Sequence, residues 1–190
     1  MATVYHGTPR TPAPALDAVS GRSFYVSYYR PDSVEAVEAM APHIIYDNGA
    51  FSFWMQAVGA GIDPIDAGRS DWTPYYDWPA GRLYEAVRWA VIPDRPAAPS
   101  QINDRLLNDW PYGRSRGAPV WHMDGPLDRL ARLCVRYDRV CLGWIGDPKR
   151  EPVGCDAYHR RMDEVAALMG NQRHPLHMLR GVAVGGATRS

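Results

Sequence analysis

Three side chains of the chemistry-bearing types stand where short apolar runs of the chain give out. Asp47 closes HIIYD (43–47), Asp94 closes VRWAVIPD (87–94) and His122 lies in APVWHMD (118–124). A carboxylate brought out of a buried strand needs a compensating partner. So placed, it serves as a general base, a nucleophile or an acceptor of N–H groups. An imidazole exchanges its proton near neutrality. Each residue has a plainer alternative. Asp47 precedes Asn48-Gly49, a strong turn signal, so its carboxylate can instead cap that turn. Asp94 can cap its strand or pair with Arg95, and His122 can be a satisfied core residue or a phosphate contact. Asn48 and Gly49 join the binding candidates, as do Tyr28, Phe51 and Phe53, whose rings suit stacking on a flat ligand. With 21 aromatic residues in the chain, each of these rings is first a candidate for the core. Gly143 and Gly146, in GWIG, bring backbone amides close to a carbonyl oxygen. Arg180 and Arg30 suit a phosphate or a strand-end carboxylate.

Positioning these residues requires a regular scaffold. Six apolar runs read as strands: FYVSYY (24–29), HIIYD (43–47), VRWAVIPD (87–94), APVWHMD (118–124), RVCLGWIGD (139–147) and PLHMLRG (175–181). Pro93 fits the end of a strand better than its interior. Helical periodicity appears in SVEAVEAM (33–40) behind Asp32 or Ser33, in SQINDRLLNDW (100–110) behind Ser100, in PLDRLARLCVRYD (126–138) and in DAYHRRMDEVAALM (156–169) behind Asp156. Residues 58–79, rich in Gly, Asp and Trp, read as a loop excursion, with a short helix near 80–86. Repeated strand, loop and helix units with nearly unbroken apolar strands predict an α/β fold with a parallel sheet covered on both faces. Ligands of such folds bind beyond the carboxyl ends of the strands. Those ends carry Tyr28, Asp47, Asp94, His122, the Gly146-Asp147 pair and Arg180.

Composition narrows the classes. A chain of 190 residues predicts one domain over 1–190, burying roughly 70% of its unfolded surface. Its 21 basic and 21 acidic residues cancel, which excludes a general positive field for nucleic acid but leaves room for a local basic groove. The 46% apolar and 22% charged fractions exclude intrinsic disorder. No apolar stretch approaches the ~20 residues that cross a bilayer, and the N-terminus lacks the apolar core of a secretory signal, so a cytoplasmic location without membrane association is expected. Cys134, Cys141 and Cys155 fit neither a disulfide framework nor a zinc site, and they read as inert thiols. No metal and no cofactor is expected.

Taken in order, these blocks carry a likeness. IIYDNGAFSFW resembles the DSGAFS and DSGGFQ strand-end motif of the tRNA-guanine transglycosylase superfamily, which includes small phage and prophage relatives linked to deazaguanine modification of DNA. WAVIPD resembles the family's next strand, whose terminal carboxylate helps recognise a guanine-like base. PVWHM with PLDRL, RVCLGWIG and HPLHMLRG resemble later blocks, so the likeness spans residues 24–181. It implies a parallel (β/α) barrel and a transferase acting at C1′ of a nucleoside. Asp47 then serves as nucleophile or base, Asp94 takes the guanine N1–H and exocyclic amine, and His122 is a further proton-transfer group. Tyr28, Asn48, Gly49, Phe51, Gly143, Gly146 and Arg180 line the base and its phosphate. The implied partner is a guanine-like or deazaguanine base or nucleotide, with DNA left open.

Three departures shape the expectation. Only VAVGGATRS follows Gly181, so the carboxylate that the family supplies after this block is missing. The cysteine and histidine zinc cluster of the tRNA-acting enzymes is missing too. Six strands are also fewer than an eight-unit barrel needs. The barrel is therefore expected to be shortened or incomplete, with a homodimer covering its open side. Base exchange or base release stands beside two alternatives: a purine-type binding module that has lost exchange, and a structural or assembly protein with a barrel-derived fold.

Overall fold

The computed structural model describes residues 3–8, 14–84, 87–146 and 150–179; Asp147 and Arg180 lie outside the described residues. The protein is α/β, with parallel strands in sheets of five and three. Its strands are β1 (Tyr5–Gly7), β2 (Ser23–Ser27), β3 (Ile44–Asp47), β4 (Arg88–Val91), β5 (Gly117–Ala118), β6 (Val120–His122), β7 (Val140–Gly143) and β8 (Leu176–Met178). Its helices are α1 (Pro14–Asp17), α2 (Val34–Met40), α3 (Ala50–Gly59), α4 (Thr73–Asp77), α5 (Ser100–Leu106), α6 (Leu127–Arg136) and α7 (Asp156–Met169). The chain divides into two compact units, Met1–Pro119 and Val120–Ser190.

In the first unit the sheet order is β1-β2-β3-β4-β5, each strand parallel to its predecessor in the chain. Parallel neighbours need a crossover, and α1, α2, the α3–α4 segment and α5 supply one at each step. β3 is buried along its whole length, and Trp89, Ala90 and Val91 of β4 are buried as well. That is why both read as continuous apolar runs. In the second unit the order is β6-β7-β8, again parallel, with α6 and α7 as the crossovers. Leu130 and Leu133 form the buried stripe of α6.

Several boundaries differ from the sequence expectation. β1 was not anticipated, because Tyr-His-Gly carries no apolar run. The run 118–124 resolves into β5 and β6 with Pro119 between them; proline has no N–H to give a ladder. FYVSYY stops at Ser27. The described part of the segment near 80–86 forms turns ending in an antiparallel bridge between Tyr84 and Arg88, with no helix. The excursion 58–79 contains α4 and the last residues of α3. Among the expected caps, Cys155 takes the place of Asp156, its sulfur accepting from the Tyr158 amide at 3.5 Å. Burial raises the Cys134 thiol, as suits an inert group. No helix among the described residues is long and apolar enough to cross a membrane.

Candidate functional site

The carboxyl ends of β2, β3 and β4 bring two acids close together. Asp47, the last residue of β3, is 8% exposed. Ser27 stands opposite it in register at the end of β2, and the Ser27 hydroxyl donates to Asp47 Oδ2 at 2.8 Å. The Gly49 amide donates to the same oxygen at 2.9 Å, and the Tyr25 side chain also bonds the carboxylate. These donors are neutral. Burial pushes the Asp47 carboxyl up to about 6, and the neighbouring Asp94 charge adds to the rise against the lowering effect of the three hydrogen bonds. Asp47 therefore caps the turn, as one reading of the sequence has it, and also exchanges its proton close to neutrality.

Asn48 ties the two strand ends together. Its amide nitrogen donates to the Ile92 carbonyl at 3.0 Å and to Asp94 Oδ1 at 2.8 Å, while its oxygen accepts from the Ala50 amide at 2.7 Å. Asn48 thus acts on Asp94 directly, holding one carboxylate oxygen in place. Asp94 is 6% exposed. The backbone just beyond it is clamped by buried Asn103 of α5, which accepts from the Arg95 amide at 2.7 Å and donates to the Arg95 carbonyl at 3.2 Å. The expected alternative, an Asp94–Arg95 pair, is not formed: Arg95 makes no ion pair among the described residues, and its guanidinium donates to the Ile65 carbonyl at 3.2 Å. Ala97 in the same loop has φ +61°, a left-handed conformation that costs a non-glycine residue roughly 1–2 kcal/mol.

The turn between β3 and α3 depends on Gly49. Its φ is +73°, and a Cβ there would lie 2.9 Å from both Cβ and the backbone nitrogen of Tyr29. Gly49→Ala combines conformational strain with overlap against backbone, and it is expected to destabilise the protein by about 2–4 kcal/mol. Urea unfolding measures this; a loss below about 1 kcal/mol would show that the turn relaxes.

Aromatic groups from the 58–79 segment fold over these strand ends. Tyr75, fully buried on α4, places its hydroxyl 3.1 Å from the Tyr46 carbonyl and 2.7 Å from that of Val91. Tyr28, next to Ser27, packs on Tyr75, Trp78 and Phe53 with ring centroids at 5.4, 5.5 and 6.3 Å. Phe51 packs on Trp54 of its own helix at 5.6 Å. Asp47, Asn48, Gly49, Asp94 and Tyr28 thus belong to one neighbourhood.

His122, Gly143 and Gly146 belong to the second unit. His122 ends β6, is buried, and stands in register with Gly143 at the end of β7. A Cβ at Gly143 would come within 3.2 Å of the imidazole Cδ2, so glycine leaves room for the ring. Gly146 has a packing role: a Cβ there would lie 2.5 Å from Trp144 Nε1 and 2.7 Å from the Glu151 carbonyl, two atoms that bond each other at 2.8 Å. Arg161 of α7 fixes the loop after β6 by donating to the Met123 carbonyl and, at 2.6 Å, to that of Gly125.

Sequence reading missed Tyr25, Ser27, Asn103 and Arg161. Two of them left a signal: Ser27 interrupts the aromatic run FYVSYY, and Asn103 is a polar residue one position from Ile102 on a helix that packs inward. Among the described residues no group of three or more His, Cys, Asp or Glu could hold a metal ion. Comparison of the chain with protein-family models, with curated proteins and with solved structures finds no match to any of them.

Proposed function

We propose that the strand ends of the first unit bind a guanine or 7-deazaguanine-type base and act on its N-glycosidic bond. The observation that carries this reading is two buried carboxylates at neighbouring strand ends, Asp47 held by Ser27 and Gly49 and Asp94 held by the amide of Asn48, the residue that follows Asp47. A planar carboxylate at Asp94 takes the N1–H and the exocyclic amine of guanine, a donor pair that adenine lacks. Asp47 attacks C1′; the C1′–N bond breaks, its electron pair leaves with the base, and the base takes up a proton from water. The glycosyl ester then passes the sugar to a second base or to water. The strictly sequential order of parallel strands in both sheets supports a barrel-type architecture over a doubly wound one, in which strand order reverses at a switch point.

A second reading has its own observation. Asp47 accepts hydrogen bonds from Ser27, the Gly49 amide and Tyr25, which occupy its lone pairs, weaken it as a nucleophile and favour a binding module without turnover. Titration calorimetry against guanine, 7-deazaguanines, adenine and uracil, paired with chromatography for base released from nucleotides, separates the two. Selective guanine binding with release supports the enzyme, and selective binding without release supports the module. No binding of any purine-type base at high protein concentration ends both readings.

A further inference from the structure

Arg69 is held in a way that neither the glycosidic chemistry nor the fold requires. Its guanidinium carbon lies 5.7 Å from the ring centre of Tyr28, 5.2 Å from that of Phe53 and 5.5 Å from that of Trp72. Its Nε donates to the Asp71 carbonyl. Both terminal amino groups lack hydrogen-bond partners among the described residues, and Arg69 forms no ion pair there. Three rings and one carbonyl thus hold the cation while leaving its terminal amino groups for something else. The supporting rings lie close to the acids: Tyr28 follows the Ser27 that bonds Asp47, and Phe53 comes within 3.3 Å of the Cβ position of Gly49, which bonds it too. Gly68, next to Arg69, packs on Arg95, whose Nε would lie 2.6 Å from a Cβ at that position. The segment carrying Arg69 is thereby tied to the residue that follows Asp94.

Two buried carboxylates at the strand ends repel an anion, so a phosphate ester needs a fixed cation nearby. A guanidinium fork matches phosphate oxygens in pairs. We propose that Arg69 is the phosphate anchor of this site, so that its ligand is a phosphate ester of the nucleoside, with the free base a weaker binder. The inference rests on the base-binding reading for the identity of the nucleoside, and only on Arg69 for the anion.

The test is calorimetry on the full chain with guanine, guanosine, guanosine 5′-monophosphate, ribose 5-phosphate and a short single-stranded oligodeoxynucleotide containing guanine. The wild type is expected to bind the monophosphate about 10-fold more tightly than guanosine. Arg69→Gln brings that ratio to about one and leaves guanosine affinity within about threefold, while Arg69→Lys keeps part of it. High salt narrows the wild-type ratio. Tighter binding of the oligonucleotide than of the monophosphate, lost in Arg69→Gln, assigns the phosphate to DNA; the reverse order assigns it to a free nucleotide. Equal affinity of guanosine and its monophosphate overturns the anchor while leaving base binding intact. An Arg69→Gln protein that weakens both equally also overturns it, since Arg69 then only supports the rings. Arg69-dependent binding of ribose 5-phosphate without binding of guanine or guanosine keeps the anchor and removes the base reading. If Arg69→Gln does not fold in a thermal melt, Arg69→Lys and the salt dependence decide: a ratio unmoved by both overturns the anchor.

Discussion

Asp47→Asn is expected to lower base release or exchange by about a thousandfold or more, the scale seen when an enzyme loses its nucleophile, while guanine affinity stays within about threefold. Asparagine preserves the shape and can still accept from the Gly49 amide, so the turn at Asn48-Gly49 survives. The carboxyl is pushed up to about 6 from 3.8, which sets two pH signatures. Attack requires the ionised form, so wild-type turnover should rise as pH passes about 6. Stability runs the opposite way. The unfolded chain releases this proton near 3.8 and the native protein holds it to about 6. The stabilisation is therefore fully present below pH 3.8 and is lost as pH climbs through about 6, a change of about 3 kcal/mol. Asp47→Asn should remove that component, so urea unfolding at pH 4 and pH 7 is compared between wild type and variant. Identical pH slopes in the two proteins would sink the buried-acid account. A difference in stability slope with no turnover in either protein would leave Asp47 as a structural acid in a binding module.

How far these residues were legible depended on what surrounds each. Strands such as β3, β4 and β7 were legible because a sheet strand buried on both faces cannot alternate, so it reads as an unbroken apolar run. Asp47 and Asp94 were visible as the polar residues that end two such runs. Asn48 was legible as a turn residue, while its bond to Asp94 was not: the two are 46 positions apart, and the pairing of β3 with β4 alone brings them together. Helix α3 was not read from the stretch AFSFW, since a short aromatic run fits a buried strand or a buried helix equally. The left-handed Gly49 decides it by starting α3. Arg69 left no trace in the sequence, because its three rings come from residues 28, 53 and 72, gathered from three separate segments. His122 was grouped with the two aspartates on strand-end position alone, and contacts place it in the second unit and them in the first.

Asp94→Asn tests whether this carboxylate reads the base. Asn48 Nδ2 already donates to Asp94 Oδ1 at 2.8 Å, so the amide introduced at 94 faces a choice. With its oxygen toward Asn48, it turns its amino group to the donors of guanine; with its oxygen toward the base, it sets one amino group against another. Either orientation leaves one donor facing a donor. A buried unmet contact of this kind costs about 1–3 kcal/mol, or roughly 5- to 150-fold in guanine affinity. Adenine presents no such donor pair, so its weak binding should hardly change and the preference for guanine over adenine should collapse. The same substitution also acts on Asp47. The Asp94 charge is one of the causes that raise the Asp47 carboxyl, and its removal should lower it. Residual turnover of Asp94→Asn should accordingly reach its plateau at a lower pH than in the wild type. A variant that keeps the guanine preference shows that another group reads the base. A plateau that fails to move while the preference falls shows that the two carboxylates, although neighbours at the strand ends, titrate independently.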